Sequence, residues 1–191
     1  DAVTVRRHHH YVAVLEVGIG GRLDATSVVE PVASGITSIA LEHTDLLGET
    51  VEEIARDKAG VAPADRPLVC GATGAAREAV ADAVGAIQTV GGDGDDVTVT
   101  YGGREGLESA VSIDGPDWAV ETRLPLLGAH QATNAGVAAA LVDQIADVDR
   151  ETLAQGLRNA HWPGRFEVMG RDPLVVLDGA HNPRGCERVA E

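Results

Sequence analysis

Short apolar runs that end in glycine or a carboxylate recur through the first ninety residues, with helix patterns between them. This alternation limits the folds open to the chain more than any other feature. Residues 11–17 form such a run and feed Gly18, Gly20 and Gly21; residues 32–41 form a second and residues 67–71 a third. Between them, Thr50-Val51-Glu52-Glu53 has the form of a capping box, and Gly60 ends that helix just after Lys58. An alanine-rich helix is expected over about 73–90, then a polar glycine loop to residue 96. Strands alternating with helices predict an α/β fold, a mostly parallel sheet with flanking helices. From residue 97 to 124 the pattern shortens, with turns at Gly102-Gly103 and Asp114-Gly115-Pro116, which predicts an antiparallel β meander. Helices are expected over about 132–146 and 150–160, and strands near 165–169 and 174–177. Trp162-Pro163-Gly164 interrupts the pattern and is the expected linker between a domain over 1–162 and the start of a second α/β domain over 163–191.

The 191 residues are 44% hydrophobic, enough for a substantial core. The longest purely apolar stretch, residues 137–142, is far below the roughly 20 residues of a membrane span. Fifteen basic residues face 30 acidic ones, a net charge of −15 that repels phosphate backbones and argues against nucleic-acid partners. Lys58 is the single lysine among those 15. An acidic surface almost without lysine suits concentrated salt, where screening removes self-repulsion. Cys70 and Cys186 make no disulfide framework, and a reducing, cytoplasmic setting is expected. The segment Arg6-Arg7-His8-His9-His10 reads as a solvated terminal stretch, because adjacent histidines on a strand alternate faces and cannot converge on a metal.

Four clusters carry candidate chemistry. Glu16 ends the first run at the edge where open α/β sheets place ligands, ahead of Gly18-Ile19-Gly20-Gly21-Arg22-Leu23-Asp24, which is either a tight turn or an anion cradle. His43, with Glu42 and Asp45, ends the second run at the same edge, as a hydrogen-bonded histidine or a cation ligand. His130, Gln131 and Asn134 stand at a helix start, where free amides can hold phosphate or base. Gly164-Arg165 and Asp178-Gly179-Ala180-His181-Asn182-Pro183 form the fourth: Arg165 can meet phosphate, while Asp178 and Asn182 also suit ordinary turn chemistry.

In order along the chain, Leu15-Glu16-Val17-Gly18 through Asp24-Ala25-Thr26, His43-Thr44, Ile54-Ala55-Arg56-Asp57-Lys58-Ala59-Gly60, His130-Gln131 with Asn134, Trp162-Pro163-Gly164-Arg165 and Asp178 to Pro183 resemble the folylpolyglutamate synthase/dihydrofolate synthase family, a branch of the Mur ligase superfamily. The resemblance implies the central ATPase-type domain of those ligases and the opening of their C-terminal domain. It implies ATP-dependent amide formation, in which a pteroate or folate carboxylate is phosphorylated and the acyl phosphate is attacked by L-glutamate. By the same resemblance Glu16 and His43 would bind Mg²⁺, and a carbamylated Lys58 would hold a second ion. Asn134, Arg165 and Asp178 would contact ATP, and His181 would lie near the acyl phosphate. A monomer is implied. Glu42 and Ser27 depart from the family's usual Asp and Asn. No G-x-x-x-x-G-K-[ST] element occurs, so a phosphate loop is expected upstream of Asp1 and the chain alone is expected to be inactive. A cell-wall Mur ligase and a non-enzymatic binding remnant are the alternative readings.

Overall fold

Three β-branched residues in succession, Val3-Thr4-Val5, favour extended backbone. They lie in β1 (Ala2–Arg7), which pairs antiparallel with β2 (His10–Leu15), Ala2 opposite Leu15 and Arg7 opposite His10. The computed structural model describes residues 2–7, 10–63, 65–180 and 183–190. Two expectations change here. Arg6 and Arg7 belong to a paired strand, with His8 and His9 outside the described residues. The run over 11–17 is also not a buried parallel strand: it ends at Leu15 in a hairpin that leaves Val12, Val14 and Leu15 exposed. Apolar content predicts a strand but not the neighbour it will pair with.

Contacts within the chain divide it into two compact units, Asp1–Gln88 and Thr89–Glu191. In the first, β3 (Gly35–Ile36) lies parallel to β4 (Leu68–Cys70), Gly35 opposite Val69 and Ile36 opposite Cys70. The expected second strand over 32–41 shrinks to those two residues, with Val32 and Leu41 exposed. All three β4 residues are fully buried, as a strand covered on both faces requires. Helix α1 (Thr44–Leu47) is one turn; α2 (Val51–Lys58) starts in the expected capping box, Glu53 N–H donating to the Thr50 hydroxyl and the Thr50 amide to the Glu53 carboxylate. Helix α3 (Gly74–Val84) stops six residues before the expected end because Gly85 takes the left-handed conformation, φ 78°. Ile54, Ala55 and Ala59 pack with Leu68, Cys70, Ala76, Ala79 and Val80 into the core of this unit.

Where the units join in sequence, β5 (Ile87–Gly91) takes the place of the expected helix end. Within the second unit it runs parallel to β6 (Val97–Glu105), Val90 opposite Val97, and the predicted meander continues antiparallel through β7 (Glu108–Asp114) and β8 (Ala119–Leu124). On β8 burial alternates strictly, with Val120, Thr122 and Leu124 inward. Helix α4 (Ala129–Ile145) packs on β6 and β7, and α5 (Arg150–Arg158) on β8. A bulged antiparallel pair, β9 (Glu167–Arg171) and β10 (Leu174–Leu177), precedes α6 (Pro183–Ala190). The α/β class is therefore as expected, with parallel pairs, flanking helices and separate antiparallel hairpins. Among the described residues no helix is long and apolar enough to cross a membrane.

Candidate functional site

Asp24 organises the turn that follows β2. Its Oδ2 accepts the amide hydrogens of Gly18 (3.1 Å) and Ile19 (3.3 Å), and its Oδ1 accepts the Thr26 amide (2.9 Å) and hydroxyl (2.7 Å). These bonds, the Thr26 amide first among them, hold the Asp24 carboxyl down at about 2. The Gly18 and Ile19 amides, which an anion in this loop would use, are thus engaged by the chain's own carboxylate. Between anion cradle and tight turn, the geometry is that of a tight turn.

The turn is also seated on the last turn of α2. Gly21 N–H donates to Asp57 Oδ1 (3.1 Å) and Arg22 N–H to the Asp57 carbonyl (3.2 Å). A Cβ on Gly21 would stand 2.7 Å from the Lys58 carbonyl oxygen, and one on Gly60 would stand 2.7 Å from Arg22 Cα. At Gly20, where φ is 72°, a Cβ would collide with the Asp57 carboxylate. The two motifs Gly20-Gly21-Arg22 and Asp57-Lys58-Ala59-Gly60 are therefore the two halves of one backbone-to-backbone contact, and glycine is required because the chains touch.

Lys58 leaves this contact with its side chain 19% exposed and its Nζ 2.9 Å from Glu42 Oε1. His43 follows with left-handed backbone, φ 49°, as the residue before α1; its carbonyl accepts from Leu46 and Leu47 and its side chain makes no cap bond. Glu16, just past β2, is exposed, as is His43. Among the described residues no three His, Cys, Asp or Glu side chains converge as a metal site. The Lys58 ammonium is held by Glu42, so Lys58 could serve as a cation ligand only after it leaves that pair and loses its positive charge.

The second unit gathers two other candidates. Asp178 Oδ2 accepts the Phe166 amide and Oδ1 the Ala180 amide, both at 2.7 Å, and Gly179 N–H donates to the Gly164 carbonyl at 2.8 Å. Phe166 is left-handed, φ 47°, which is why β9 begins only at Glu167. The Arg165 guanidinium stacks 5.3 Å from the centre of the Trp162 ring and passes over Gly179, where a Cβ would force it to shift. A cavity of about 240 Å³ opens beside Arg165, lined by Leu107, Leu126, His161, Trp162 and Phe166 among others. Asn134 lies on α4 and donates to Gln131 Oε1 at 3.0 Å. His181 and Asn182 lie outside the described residues.

No protein-family model matches the sequence. Against curated proteins, 183 residues are 68% identical to a probable bifunctional folylpolyglutamate synthase/dihydropteroate synthase of Halobacterium salinarum, covering 94% of this chain and 22% of that protein. Among solved structures, the chain superposes with TM-score 0.81 and 33% identity on an FPGS–AMPPCP–folate complex, covering 92% of this chain and 45% of that one. It superposes with TM-score 0.76 and 31% identity on Escherichia coli FolC in complex with DHPP and ADP, covering 91% of this chain and 40% of that one. Over about nine-tenths of its length the chain is similar to folylpolyglutamate synthases and dihydrofolate synthases, among them the dihydrofolate synthase/folylpolyglutamate synthase of Escherichia coli at 35% identity, of which it covers 40%. It spans about a fifth of the Halobacterium protein and less than half of these solved chains.

Sequence reading missed the part of Asp57 and the pairing of Glu42 with Lys58. One signal for Asp57 was present. An acid in the last turn of a helix opposes the helix dipole, at a cost of ~0.3–1 kcal/mol, so its presence there calls for another role. Ser109 was also missed: fully buried, it accepts the Gly128 amide through its hydroxyl at the start of α4.

Proposed function

We propose that the protein carrying this sequence is an ATP-dependent ligase that adds L-glutamate to a pteroate or folate carboxylate through an acyl phosphate. The observation that carries this reading is the superposition, over 92% of the chain, on the FPGS–AMPPCP–folate complex. In this reading residues 1–162 belong to an ATP-binding domain and residues from 163 to the domain that completes the site. Arg165 and Asn134 contact the nucleotide; the Trp162 stack and the 164–179 contacts fix the direction of Arg165 and favour it for a bidentate phosphate contact. Asp178 spends an oxygen on each of two amides, so its part on the ribose side is to hold the Arg165 segment while meeting a hydroxyl with a remaining lone pair. His181, outside the described residues, is assigned to the acyl phosphate by the resemblance alone. Positioning two anionic substrates, more than covalent help, is what such a reaction asks of these residues.

Lys58 is assigned the chemical role among the 15 basic residues. Arginine would serve a helix end equally well and fills all 14 other basic positions, but it cannot lose a proton to react with carbon dioxide. Carbamylation of Lys58 requires that it leave Glu42; Glu16 and His43 would then hold one Mg²⁺ and the carbamate a second, to neutralise phosphate charge. In the complete gene product, Lys58→Arg is expected to abolish ADP release dependent on glutamate and on dihydropteroate or folate, while the unfolding midpoint stays within a few degrees. Near-wild-type release by that variant would reduce Lys58 to a helix-end cation. A wild-type protein that releases ADP with neither acceptor would overturn the ligase reading.

A further inference from the structure

We infer that Asp57 is a positioning residue, which clamps the turn at residues 18–24 onto the last turn of α2 and so fixes Lys58 relative to the segment that carries Glu16. The inference rests on the ligase reading for its catalytic consequence, but not for its geometry. Asp57 grips the turn at two points: its side chain takes the Gly21 amide at 3.1 Å and its main-chain carbonyl takes the Arg22 amide at 3.2 Å. The carboxylate is 19% exposed, and Gly20 and Gly21, which it faces, are buried. Losing the acceptor would leave a buried amide without its partner, which is the expensive way to break a hydrogen bond. The other contact of the carboxylate is slight by comparison. Arg22 Nε lies 3.7 Å away on a side chain 69% exposed, and ion pairs of that kind contribute little. Hydrogen-bond acceptance rather than charge is therefore what position 57 supplies, and asparagine can supply it too. The requirement is reciprocal, because Gly20, Gly21 and Gly60 have no room for a side chain where they meet this turn of helix.

The test uses the complete gene product and two readouts. Trypsin cleavage after Arg22 reports whether the turn is held, and steady-state ADP release reports whether the site is aligned. Asp57→Ala is expected to speed that cleavage about tenfold, and to lower kcat about tenfold with KM for ATP within about threefold. Asp57→Asn is expected to stay within about twofold of wild type in cleavage and to keep at least about half of kcat. Should Asp57→Ala fail to fold, Gly21→Ala pushes the same turn away from the other side and is expected to raise cleavage similarly. Cleavage at the wild-type rate in the folded variants overturns the clamp, as does Asp57→Asn behaving like Asp57→Ala. A cleavage rise with unchanged kcat overturns the positioning role. If the wild-type protein releases no ADP with either acceptor, the ligase reading fails, and the cleavage ratio still decides the clamp.

Discussion

Four hydrogen bonds to one half-buried carboxylate make Asp24 the residue whose titration should be visible in the stability of the chain. Its folded value of about 2 lies below the ordinary 3.8, so the stabilisation is complete above about pH 4 and is lost as pH falls toward 2. Glu53, bonded first by the Thr50 amide, and Asp149, bonded first by the Thr152 amide, are lowered in the same direction. All three add to one acid limb. Asp24→Asn stays uncharged at every pH and turns an amide hydrogen toward donors. It is expected to lower the unfolding midpoint at pH 7 and to flatten the fall between pH 4 and 2, as read by circular dichroism melts. A limb of unchanged steepness would mean that other carboxylates dominate it. At this scale the sequence marked Asp24 as part of a motif but not as the acceptor for amides five and six residues upstream, since turn geometry decides which donors a carboxylate reaches.

Helix elements separate intrinsic preference from packing, and two glycines show which of the two wins. Gly156 lies exposed within α5, and a Cβ there would meet nothing within 4 Å. Gly156→Ala should therefore stabilise by about 0.5–1 kcal/mol through reduced backbone entropy in the unfolded chain. Gly136 lies buried within α4, where a Cβ would stand 2.8 Å from Val90 Cγ1 and overlap Val99. There the same substitution gains the same propensity but overpacks the contact between helix and sheet, with a typical cost of 1–3 kcal/mol. Gly136→Ala should be net destabilising, with opposite shifts of the urea midpoint in the two variants as the check. Sequence alone assigns both glycines to helices and gives both the same sign. The difference comes from β5 and β6 lying against one of them.

Over the whole molecule, the excess of 30 carboxylates over 15 cations sets the response to salt. Some of that charge is locally compensated: Arg123 pairs with Glu105, and Lys58 with Glu42. Most is not. Raising ionic strength from 0.01 to 1 M shortens the screening length from about 30 to about 3 Å, which removes the long-range repulsion that opposes compaction. The melting midpoint is expected to rise by several degrees across that range, and a flat or falling midpoint would remove the case for a salt-adapted surface.

What the sequence determined by itself was whatever depends on neighbours a few residues away: the α/β class, the Thr50 capping box, the meander with its Asp114-Gly115-Pro116 turn, and the order of the motifs; the turn expected at Gly102-Gly103 is instead a bulge within β6, and the chain reverses at Gly106-Leu107. Local chemistry carries that information, because caps, turns and strand alternation are set within a few residues. The tertiary structure decided the matters that depend on residues far apart. It set the pairing of β2 with β1 rather than with a parallel neighbour. It assigned the amides of the glycine turn to Asp24 and Asp57 rather than to an anion. It also placed Glu42 on Lys58 and Phe166 on Asp178. Each of these turns on which of several chemically adequate partners is within about 3 Å, and a linear pattern does not contain that distance.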